Sequence, residues 1–411
     1  MQYTCLLVGV NVKKIFTMKI LLSAYACRPN HGSEPAVGWN WTIETARLGH
    51  EVYVLTRNDN REFIETETVS ENVHFLYYDL PRIFLKAKKF LGIYFYYTLW
   101  QAGAYLMLKN KFSEPFDIVH HITYVSFRFP VFLHKLKGTF ILGPVAGGEE
   151  ATSNLTSTLP FKYKMLEKVR TGINFLNTYN FFINNAYARS HKIFVTTSET
   201  FSKIPVKYHH KTKIAPAIGI TYTDYPDVEK HTLFTVLYAG QLLHWKGIHI
   251  AIESFAKALK NNPALNFRII GSGKFKKELL HLIDTLGIVD KITFVEKLPQ
   301  QELYNEYKKA HIFLFPSLHD SGGFVVIEAM ANGLPVICLD KGGPPYFVGN
   351  ESKNVIATEN KNLNQITDEI ALLILTYATD IEYLKQESAD AKIRSQQFQW
   401  ANIVAAVYDT I

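Results

Sequence analysis

Apolar, strand-like segments alternate with helical segments along almost the whole chain, and this alternation constrains the fold more than any other feature. Six such segments lie in the first half: Lys19–Tyr25, Glu51–Thr56, Val73–Tyr77, Asp117–His121, Thr139–Gly143 and Lys192–Thr197. Five more follow: Thr235–Gly240, Asn266–Gly271, Lys291–Glu296, His311–Pro316 and Pro335–Asp340. Strands separated by helices form βαβ units, so the pattern predicts an α/β fold built on doubly wound parallel sheets.

The length of 411 residues exceeds what one hydrophobic core normally supports, and it predicts two domains. A Pro- and Gly-rich segment near residues 215–230 separates the two sets of strands. We therefore expect Rossmann-like domains at residues 18–222 and 223–395, facing each other across a cleft. Ligands of such sheets bind outside the carboxyl ends of the strands.

Residues 1–17 are expected to be a non-native or disordered extension. A signal peptide carries its positive charge before its apolar stretch, whereas Lys13 and Lys14 follow one here. The segment after Met18 starts the first predicted strand, so Met18 is the expected true start.

Composition indicates a soluble globular protein, with 47% hydrophobic and 20% charged residues. The net charge of +7 favours anionic partners. Only three cysteines occur, which argues against a disulfide framework or a zinc cluster and favours a cytoplasmic location.

Two basic, aromatic tracts interrupt the βα pattern. Residues 80–113 contain no acid, and residues 161–192 form a similar segment. The basic residues of the first tract are Arg82, Lys86, Lys88, Lys89, Lys109 and Lys111, and those of the second include Lys162, Lys164, Lys168 and Arg170. Two interpretations stay open: amphipathic helices lying on the inner face of an anionic membrane, or core helices with a solvated rim of lysines. The uncharged part of the first tract, residues 91–107, is marginal for spanning a bilayer.

Four loops of the second half follow strand ends and carry candidate ligand-binding groups. Lys246 precedes a helix that begins near Gly247, which is a typical setting for an anion site. Gly271 and Gly273 allow a close backbone approach, although such a pair also serves packing alone. The segment Pro316–Ile337 places Asp320 eight positions before Glu328, with Gly322 and Gly323 at a helix start between them. Carboxylates accept hydrogen bonds from vicinal hydroxyls, and helix amides with a lysine bind a diphosphate, so these groups fit a nucleotide-diphosphate sugar.

The segments GQLLHWKG, IIGSGKFKKELLHLIDTLGIVDKITFVEKLPQ and DSGGFVVIEAMANGLPVI resemble the nucleotide-binding half of the family-4 retaining glycosyltransferases, which have the GT-B fold. The resemblance is close over residues 235–345 and looser through MKILLSAYACRPNHGSEPAVGW, FDIVHH and GPVAGGEE. The closing segment, residues 396–411, is similar to the family's last helix, which crosses back onto the first domain.

The resemblance implies a role for each matching residue. Glu328 matches the acid that binds the nucleotide ribose, and Asp320 matches the acid that contacts the donor sugar, with a side chain one methylene shorter. Lys246 matches the diphosphate-binding lysine. Gln241 stands where the family has arginine, so one charge is missing from the diphosphate clamp. The remaining predicted nucleotide-sugar contacts in this half are Gly271, Gly273, Ser317, Ser321, Gly322, Gly323, Phe324 and Val325.

In the first half, Gly32 and Ser33 lie on a loop before a helix that starts near Pro35, which the family places near the donor phosphate. Of the paired histidines, His121 is expected to face the donor sugar and His120 to pack, because adjacent strand residues point to opposite faces. Glu149, in the loop Gly143–Glu150, is a candidate for acceptor contact.

No metal site is expected, because the sequence has neither an Asp-x-Asp pattern nor a His/Cys cluster with ligand spacing. The resemblance implies a retaining, metal-independent glycosyltransferase that acts on a glycan or lipid-linked acceptor in cell-surface polysaccharide or lipopolysaccharide biosynthesis. No cofactor beyond the nucleotide-sugar donor and no nucleic acid partner are expected. Two alternatives stay open: a nucleotide-sugar epimerase of the same fold, and a non-catalytic nucleotide-sugar-binding scaffold subunit, for which Gln241 and Asp320 are the only hints.

Overall fold

The computed structural model describes residues 17–177, 180–222, 226 and 228–410. The side chains of residues 82, 85–91 and 94 are also outside the description. The predicted extension (residues 1–16), part of the predicted linker (223–225 and 227) and the side chains of Arg82, Lys86, Lys88 and Lys89 therefore lie outside the described residues.

Seven parallel strands form the first sheet, in the order β3-β2-β1-β4-β5-β6-β7. They are β1 (Lys19–Ser23), β2 (Glu51–Thr56), β3 (Val73–Tyr77), β4 (Ile118–His121), β5 (Thr139–Val145), β6 (Lys192–Val195) and β7 (Thr212–Ile214). Strands β1, β4 and β6 are buried over nearly their whole length and are mainly apolar apart from His120 and His121, as expected for strands covered by helices on both faces.

Six parallel strands form the second sheet, in the order β10-β9-β8-β11-β12-β13. They are β8 (Thr235–Ala239), β9 (Asn266–Ile270), β10 (Ile292–Val295), β11 (Ile312–Phe315), β12 (Val336–Leu339) and β13 (Val355–Ile356). All eleven predicted strands are present. The sequence missed β7 and β13, which have three and two residues, too few to show a pattern.

Helices connect the strands and cover both sheets. Those before the second sheet are α1 (Glu34–Arg47), α2 (Arg61–Ile64), α3 (Arg82–Lys111), α4 (Phe161–Asn177), α5 (Phe181–Arg189) and α6 (Ser198–Lys203). Those that follow are α7 (Ile248–Leu259), α8 (Lys276–Thr285), α9 (Gln300–Lys309), α10 (Phe324–Ala331), α11 (Pro344–Val348), α12 (Leu363–Thr379), α13 (Ile381–Ser395) and α14 (Trp400–Tyr408).

The last helix, α14, leaves the second sheet and packs on α1 beside the first. The hydroxyl of Tyr408 lies 3.0 Å from Nδ1 of His120 in β4, and its ring meets Trp41 of α1 edge-on. Ile220 and Gln399 pair where the chain crosses between the two sheets in both directions. The predicted α/β fold with two Rossmann-like sheets and a returning C-terminal helix is confirmed.

The two basic, aromatic tracts form α3 and the pair α4 and α5. Helix α3 is interrupted at Gly92, whose backbone is not helical. Within the described part of the chain, no helix has both the length and the apolar character needed to cross a membrane.

Candidate functional site

Each sheet has one point at which the strand order reverses, and the loops leaving that point form a crevice where doubly wound sheets bind ligands. In the second sheet this point lies between β8 and β11. We call the segment Gly240–Gly247 after β8 the β8 loop, and the segment Pro316–Gly323 after β11 the β11 loop. They contain Lys246 and Asp320 together with the predicted contacts Gln241, Ser317, Ser321, Gly322 and Gly323.

The β8 and β11 loops are held together by their backbones. Gly247 has a positive φ of 69°, and a Cβ there would lie 1.7 Å from the carbonyl oxygen of Pro316, so only glycine fits this approach. The carbonyl oxygen of Trp245 accepts hydrogen bonds from the Leu318 amide at 2.8 Å and from the Ser317 hydroxyl at 3.1 Å. Ser317 is therefore a bridge between the loops, with its side chain buried.

Lys246 and Asp320 meet at the centre of the crevice, where the lysine ammonium donates to Oδ2 of the carboxylate. Oδ1 accepts from the amides of Gly322 (3.2 Å) and Gly323 (3.3 Å), which lie at the start of α10. Burial alone would raise the pKa of Asp320, but the Lys246 charge and these hydrogen bonds outweigh it and lower that pKa. The site thus presents one lysine and two helix N-terminal amides, all held on an ionised carboxylate.

Glu328 lies in the second turn of α10, where its Oε2 accepts a hydrogen bond from the Tyr307 hydroxyl at 3.1 Å. Burial raises the pKa of the Glu328 carboxyl to about 7, although the bond from Tyr307 opposes that shift. The two acids of this segment therefore differ: Asp320 is charge-paired, whereas Glu328 is poised to gain or lose a proton near neutrality.

The first domain contacts the β11 loop through Glu149, which is fully buried. Its Oε2 accepts from the Ser321 hydroxyl at 2.7 Å and from the Gly147 amide at 3.1 Å. Its Oε1 accepts from the hydroxyls of Thr197 (2.8 Å) and Thr200 (2.9 Å). With both oxygens occupied by protein donors, Glu149 fixes the loop Gly143–Glu150 to the β11 loop, and its predicted contact with an acceptor stays a prediction.

A family model described as "Glycosyl transferases group 1" matches residues 226–389, the region that contains the second sheet and this crevice. Residues 226–389 are thus similar to the glycosyl transferases group 1 family, and we call them the group 1 domain. The chain is 32% identical over 182 residues to a D-inositol 3-phosphate glycosyltransferase of Streptomyces bingchenggensis, with 42% of this chain and 39% of that relative aligned. A protein of the same name from Corynebacterium glutamicum is 29% identical over 176 residues, covering 41% of each chain. The chain thus spans about two fifths of the length of the curated relatives it matches.

Solved glycosyltransferase structures match the whole architecture. WaaG, a glycosyltransferase involved in lipopolysaccharide biosynthesis, superposes with a TM-score of 0.57 at 16% identity, covering 95% of this chain and 99% of that one. HepE of Anabaena, in complex with UDP and glucose, gives a TM-score of 0.57 at 15% identity, covering 96% and 99%. The fold is GT-B, in which the group 1 domain is the second of the two sheets.

A buried acid from the first domain reaches the group 1 domain at a place the sequence analysis did not predict. Glu167 of α4 accepts a hydrogen bond from Nε2 of His244 in the β8 loop at 2.7 Å. Its other oxygen lies 3.0 Å from Nε2 of His319 in the β11 loop, at ion-pair distance. The sequence did contain a signal, because Glu167 is the only acid between Glu150 and Glu199.

The predicted histidines do not join this cluster. His121 is fully buried, with Nε2 2.9 Å from the Tyr97 hydroxyl and Nδ1 2.9 Å from the Ser23 hydroxyl. His120 is also fully buried, between Tyr408 and the carbonyl of Gly143. Burial lowers the pKa of both imidazoles to about 3, so both are neutral at physiological pH. The packing role expected of His120 fits this position, and the donor-sugar role of His121 stays a prediction.

The other predicted residues lie around the crevice. Gly32 and Ser33 are exposed between β1 and α1, at the reversal point of the first sheet, and Ser33 has a positive φ of 62°. Gln241 is exposed in the β8 loop. Gly271 and Gly273 pack directly against the backbone of that loop, which is a structural use of these glycines. Phe324 and Val325 are half-buried in the first turn of α10.

Proposed function

We propose that the protein is a retaining, metal-independent glycosyltransferase that moves a sugar from a nucleotide-diphosphate sugar to a glycan or lipid-linked acceptor. The observation that carries the proposal is the meeting of Lys246, Asp320 and the α10 amides at the strand-order reversal of a group 1 domain. This is the position at which such sheets bind nucleotides.

The diphosphate of the donor fits the cationic part of this site. The amides of Gly322 and Gly323 and the ammonium of Lys246 are the donors, and all three bond Asp320. A diphosphate would draw Lys246 from Asp320, and the carboxylate would then be available to accept from sugar hydroxyls. Glu328, on the same helix, is proposed to accept from the ribose hydroxyls.

Transfer is proposed to occur on the front face of the sugar, with retention of configuration. The leaving phosphate oxygen takes the proton of the acceptor hydroxyl, so the site needs no protein base. Lys246 and the helix amides stabilise the negative charge that grows on the leaving diphosphate. Because these groups supply the stabilisation, we propose that no metal ion is required. Gln241 carries no charge, so the clamp relies on Lys246 more than an arginine-containing site would.

The biological setting is proposed to be the biosynthesis of a cell-surface polysaccharide or lipopolysaccharide, on the cytoplasmic side of the membrane. Several solved relatives of the fold come from such pathways, including WaaG and the lipopolysaccharide outer core galactosyltransferase WaaB. UDP-sugars are the first donors to test, because HepE was solved with UDP and with UDP-glucose.

The test is a panel of nucleotides and nucleotide sugars in a thermal-shift assay with EDTA, on the wild type and on Lys246→Met. A ligand at a hundred times its dissociation constant stabilises the folded state by about 2.7 kcal/mol. We expect one nucleotide base to give this shift and Lys246→Met to abolish it. The matched control is Lys277→Met, an exposed lysine of α8 outside the crevice, which is expected to keep the shift.

Product analysis separates the transferase from its alternatives. Incubation of the recognised donor with candidate acceptors in EDTA, followed by NMR of the product, is expected to show a glycoside with the anomeric configuration of the donor. A changed nucleotide sugar formed without acceptor would identify an epimerase. Nucleotide-sugar binding without turnover on any acceptor would favour the scaffold subunit.

A further inference from the structure

Helix α4 has its polar face inside the protein and its apolar face outside. The buried residues of this helix are Tyr163, Glu167 and Asn174. Tyr163 stacks on His244 at 4.6 Å between ring centroids. Glu167 is paired with the histidines of the β8 and β11 loops. The side chain of Asn174 is hydrogen-bonded to those of Arg128 and Glu150. An amphipathic helix of a globular protein normally has the opposite arrangement.

The outward side of α4 carries a continuous apolar stripe, which we call the outer face. It consists of Leu166, Val169, Ile173 and Leu176, whose exposed fractions are 54%, 53%, 46% and 69%. Their spacing of three, four and three residues places them on one side of the helix. Two more exposed aromatic residues, Phe181 (76%) and Phe182 (60%), follow at the start of α5. Contiguous exposed apolar surface of this kind marks an interaction site.

The exposed charges of α4 itself are of one sign, although Lys162 is paired with Glu278 of α8 at 2.7 Å. Lys162 and Lys168 are exposed and Lys164 is half-buried on the same helix. Glu167 is the only acid from residue 151 to residue 198, and it is buried against His244 and His319. Helix α4 therefore carries an excess of positive charge beside the apolar stripe, to which Lys164 and the exposed Lys168 contribute in addition to the paired Lys162.

We propose that the outer face of α4 docks this protein on an anionic lipid bilayer, with the stripe in the acyl boundary and the lysines at the headgroups. An apolar stripe with a basic border is the composition that binds anionic membrane interfaces. A symmetric contact between two copies through this face would instead bring two sets of lysines together. Charge complementarity thus favours the lipid surface over a second copy.

The membrane-side location proposed above requires a surface that binds lipid, and the outer face with an anionic lipid would provide it. The inner side of α4 contacts both the β8 loop and the β11 loop through Glu167. A helix with its side chains is about 10–12 Å across, so the outer face lies about that far from these loops. Docking would therefore hold the donor crevice close to the bilayer, within reach of a lipid-linked acceptor. That consequence rests on the proposed glycosyl transfer, whereas the docking itself does not.

The test is co-sedimentation of the full chain with vesicles of phosphatidylcholine alone and of phosphatidylcholine mixed with phosphatidylglycerol in equal parts. We expect binding to the mixed vesicles to be stronger by about tenfold or more, because each lysine near an anionic surface adds attraction. The double variant Val169→Asp/Ile173→Asp is expected to lose at least about tenfold of this binding. The control, Leu372→Asp, places a carboxylate at an exposed leucine (65%) of α12 and is expected to bind as the wild type does.

Equal binding of the wild type and the double variant would overturn the proposal, and so would the absence of any preference for phosphatidylglycerol. Light scattering without lipid gives the molar mass of each protein in solution. If the wild type is a dimer and the double variant is a monomer, the outer face is a contact between two copies and the proposal is overturned. The thermal shift with nucleotide sugar is measured on the same variants without vesicles. Loss of lipid binding with an intact nucleotide shift therefore separates a docking defect from failure of the donor site or of the fold.

Discussion

Glu167 of α4 accepts a hydrogen bond from Nε2 of His244 at 2.7 Å, and this contact joins the first domain to the loop that carries Lys246. The same carboxylate lies 3.0 Å from Nε2 of His319, the residue before Asp320. One buried acid of the first domain thus contacts both the β8 loop and the β11 loop of the group 1 domain. It therefore connects α4 to the two loops that form the crevice.

Replacing Glu167 by Gln should destabilise the protein in a pH-dependent way. Burial tends to raise the pKa of Glu167, but the two histidines outweigh it and lower that pKa from 4.5 to about 2. Because the folded protein binds this proton less tightly than the unfolded chain, the ionised Glu167 stabilises the fold. This contribution is complete above about pH 4.5 and is lost as the pH falls towards 2. The shift corresponds to about 3 kcal/mol of unfolding free energy near neutrality.

Urea unfolding from about pH 7 down to about pH 3 measures this difference between wild type and Glu167→Gln. We expect the two curves to converge towards the acid end. The control is Glu382→Gln, an exposed residue paired with Lys385, for which a change below about 0.5 kcal/mol is expected. A constant gap between wild type and Glu167→Gln over the whole range would contradict the assigned charge effect.

Glu149 should matter more for stability than any one of its partners. Its carboxylate accepts four hydrogen bonds, including the one from Ser321 across the domain boundary. Glu149→Ala leaves those buried donors without an acceptor, so we expect a loss of about 2–4 kcal/mol in unfolding free energy. Ser321→Ala removes a single donor and is expected to cost about 1 kcal/mol. Similar losses for both variants in denaturant unfolding would argue against Glu149 as the common acceptor.

Asp320 should oppose diphosphate binding while it supports sugar transfer. Its carboxylate accepts hydrogen bonds from Lys246 and from the two α10 amides, which are the donors proposed for the diphosphate. Asp320→Asn removes the competing charge, so we expect a nucleoside diphosphate to bind about three- to tenfold more tightly. Transfer should fall by roughly 10²–10³ because the sugar loses a charged hydrogen-bond acceptor. Calorimetry and a transfer assay check the two effects, and weaker diphosphate binding by the variant would show that the ion pair organises the site.

Much of this architecture was predictable from the sequence because it depends on local patterns. Strands such as Ile312–Phe315 are continuous apolar runs next to glycine-containing loops, and Lys246 and Asp320 lie in the loops that follow two such strands. Parallel sheets bring these loops together, so their proximity followed from topology alone. The motifs also identified the helix start at Gly323.

What the sequence did not reveal depends on contacts between distant segments. The pairing of Glu167 with His244 spans 77 residues and crosses the two domains, and no periodic pattern encodes it. The apolar stripe of α4 would be assigned to the core by periodicity, yet the structure turns the polar side inward. The burial of His121 likewise depends on Tyr97, which comes from α3.

Glu328 should lower the unfolding free energy of the protein at neutral and higher pH, whereas Glu167 raises it there. Its folded pKa of about 7 lies above the ordinary value of 4.5, so folding favours the protonated carboxyl. The resulting penalty is absent below about pH 4.5, grows as the pH rises and is complete above about 7. Glu328→Gln removes this titration, so we expect the variant to exceed the wild type in unfolding free energy by about 2–3 kcal/mol near pH 8 and to match it near pH 4.5.

The same substitution should weaken nucleotide-sugar binding by roughly ten- to a hundredfold, because the ribose hydroxyls lose a charged acceptor. In the wild type, binding should strengthen as the pH rises through about 7, since the ionised carboxylate is the better acceptor. Thermal melts and calorimetry with an uncleaved nucleotide sugar, at matched pH values, measure both quantities. The titrating group is Glu328 if the variant has a higher unfolding free energy, a lower affinity for the nucleotide sugar and no pH dependence of that affinity near 7. Unchanged affinity would instead place the ribose elsewhere in the crevice.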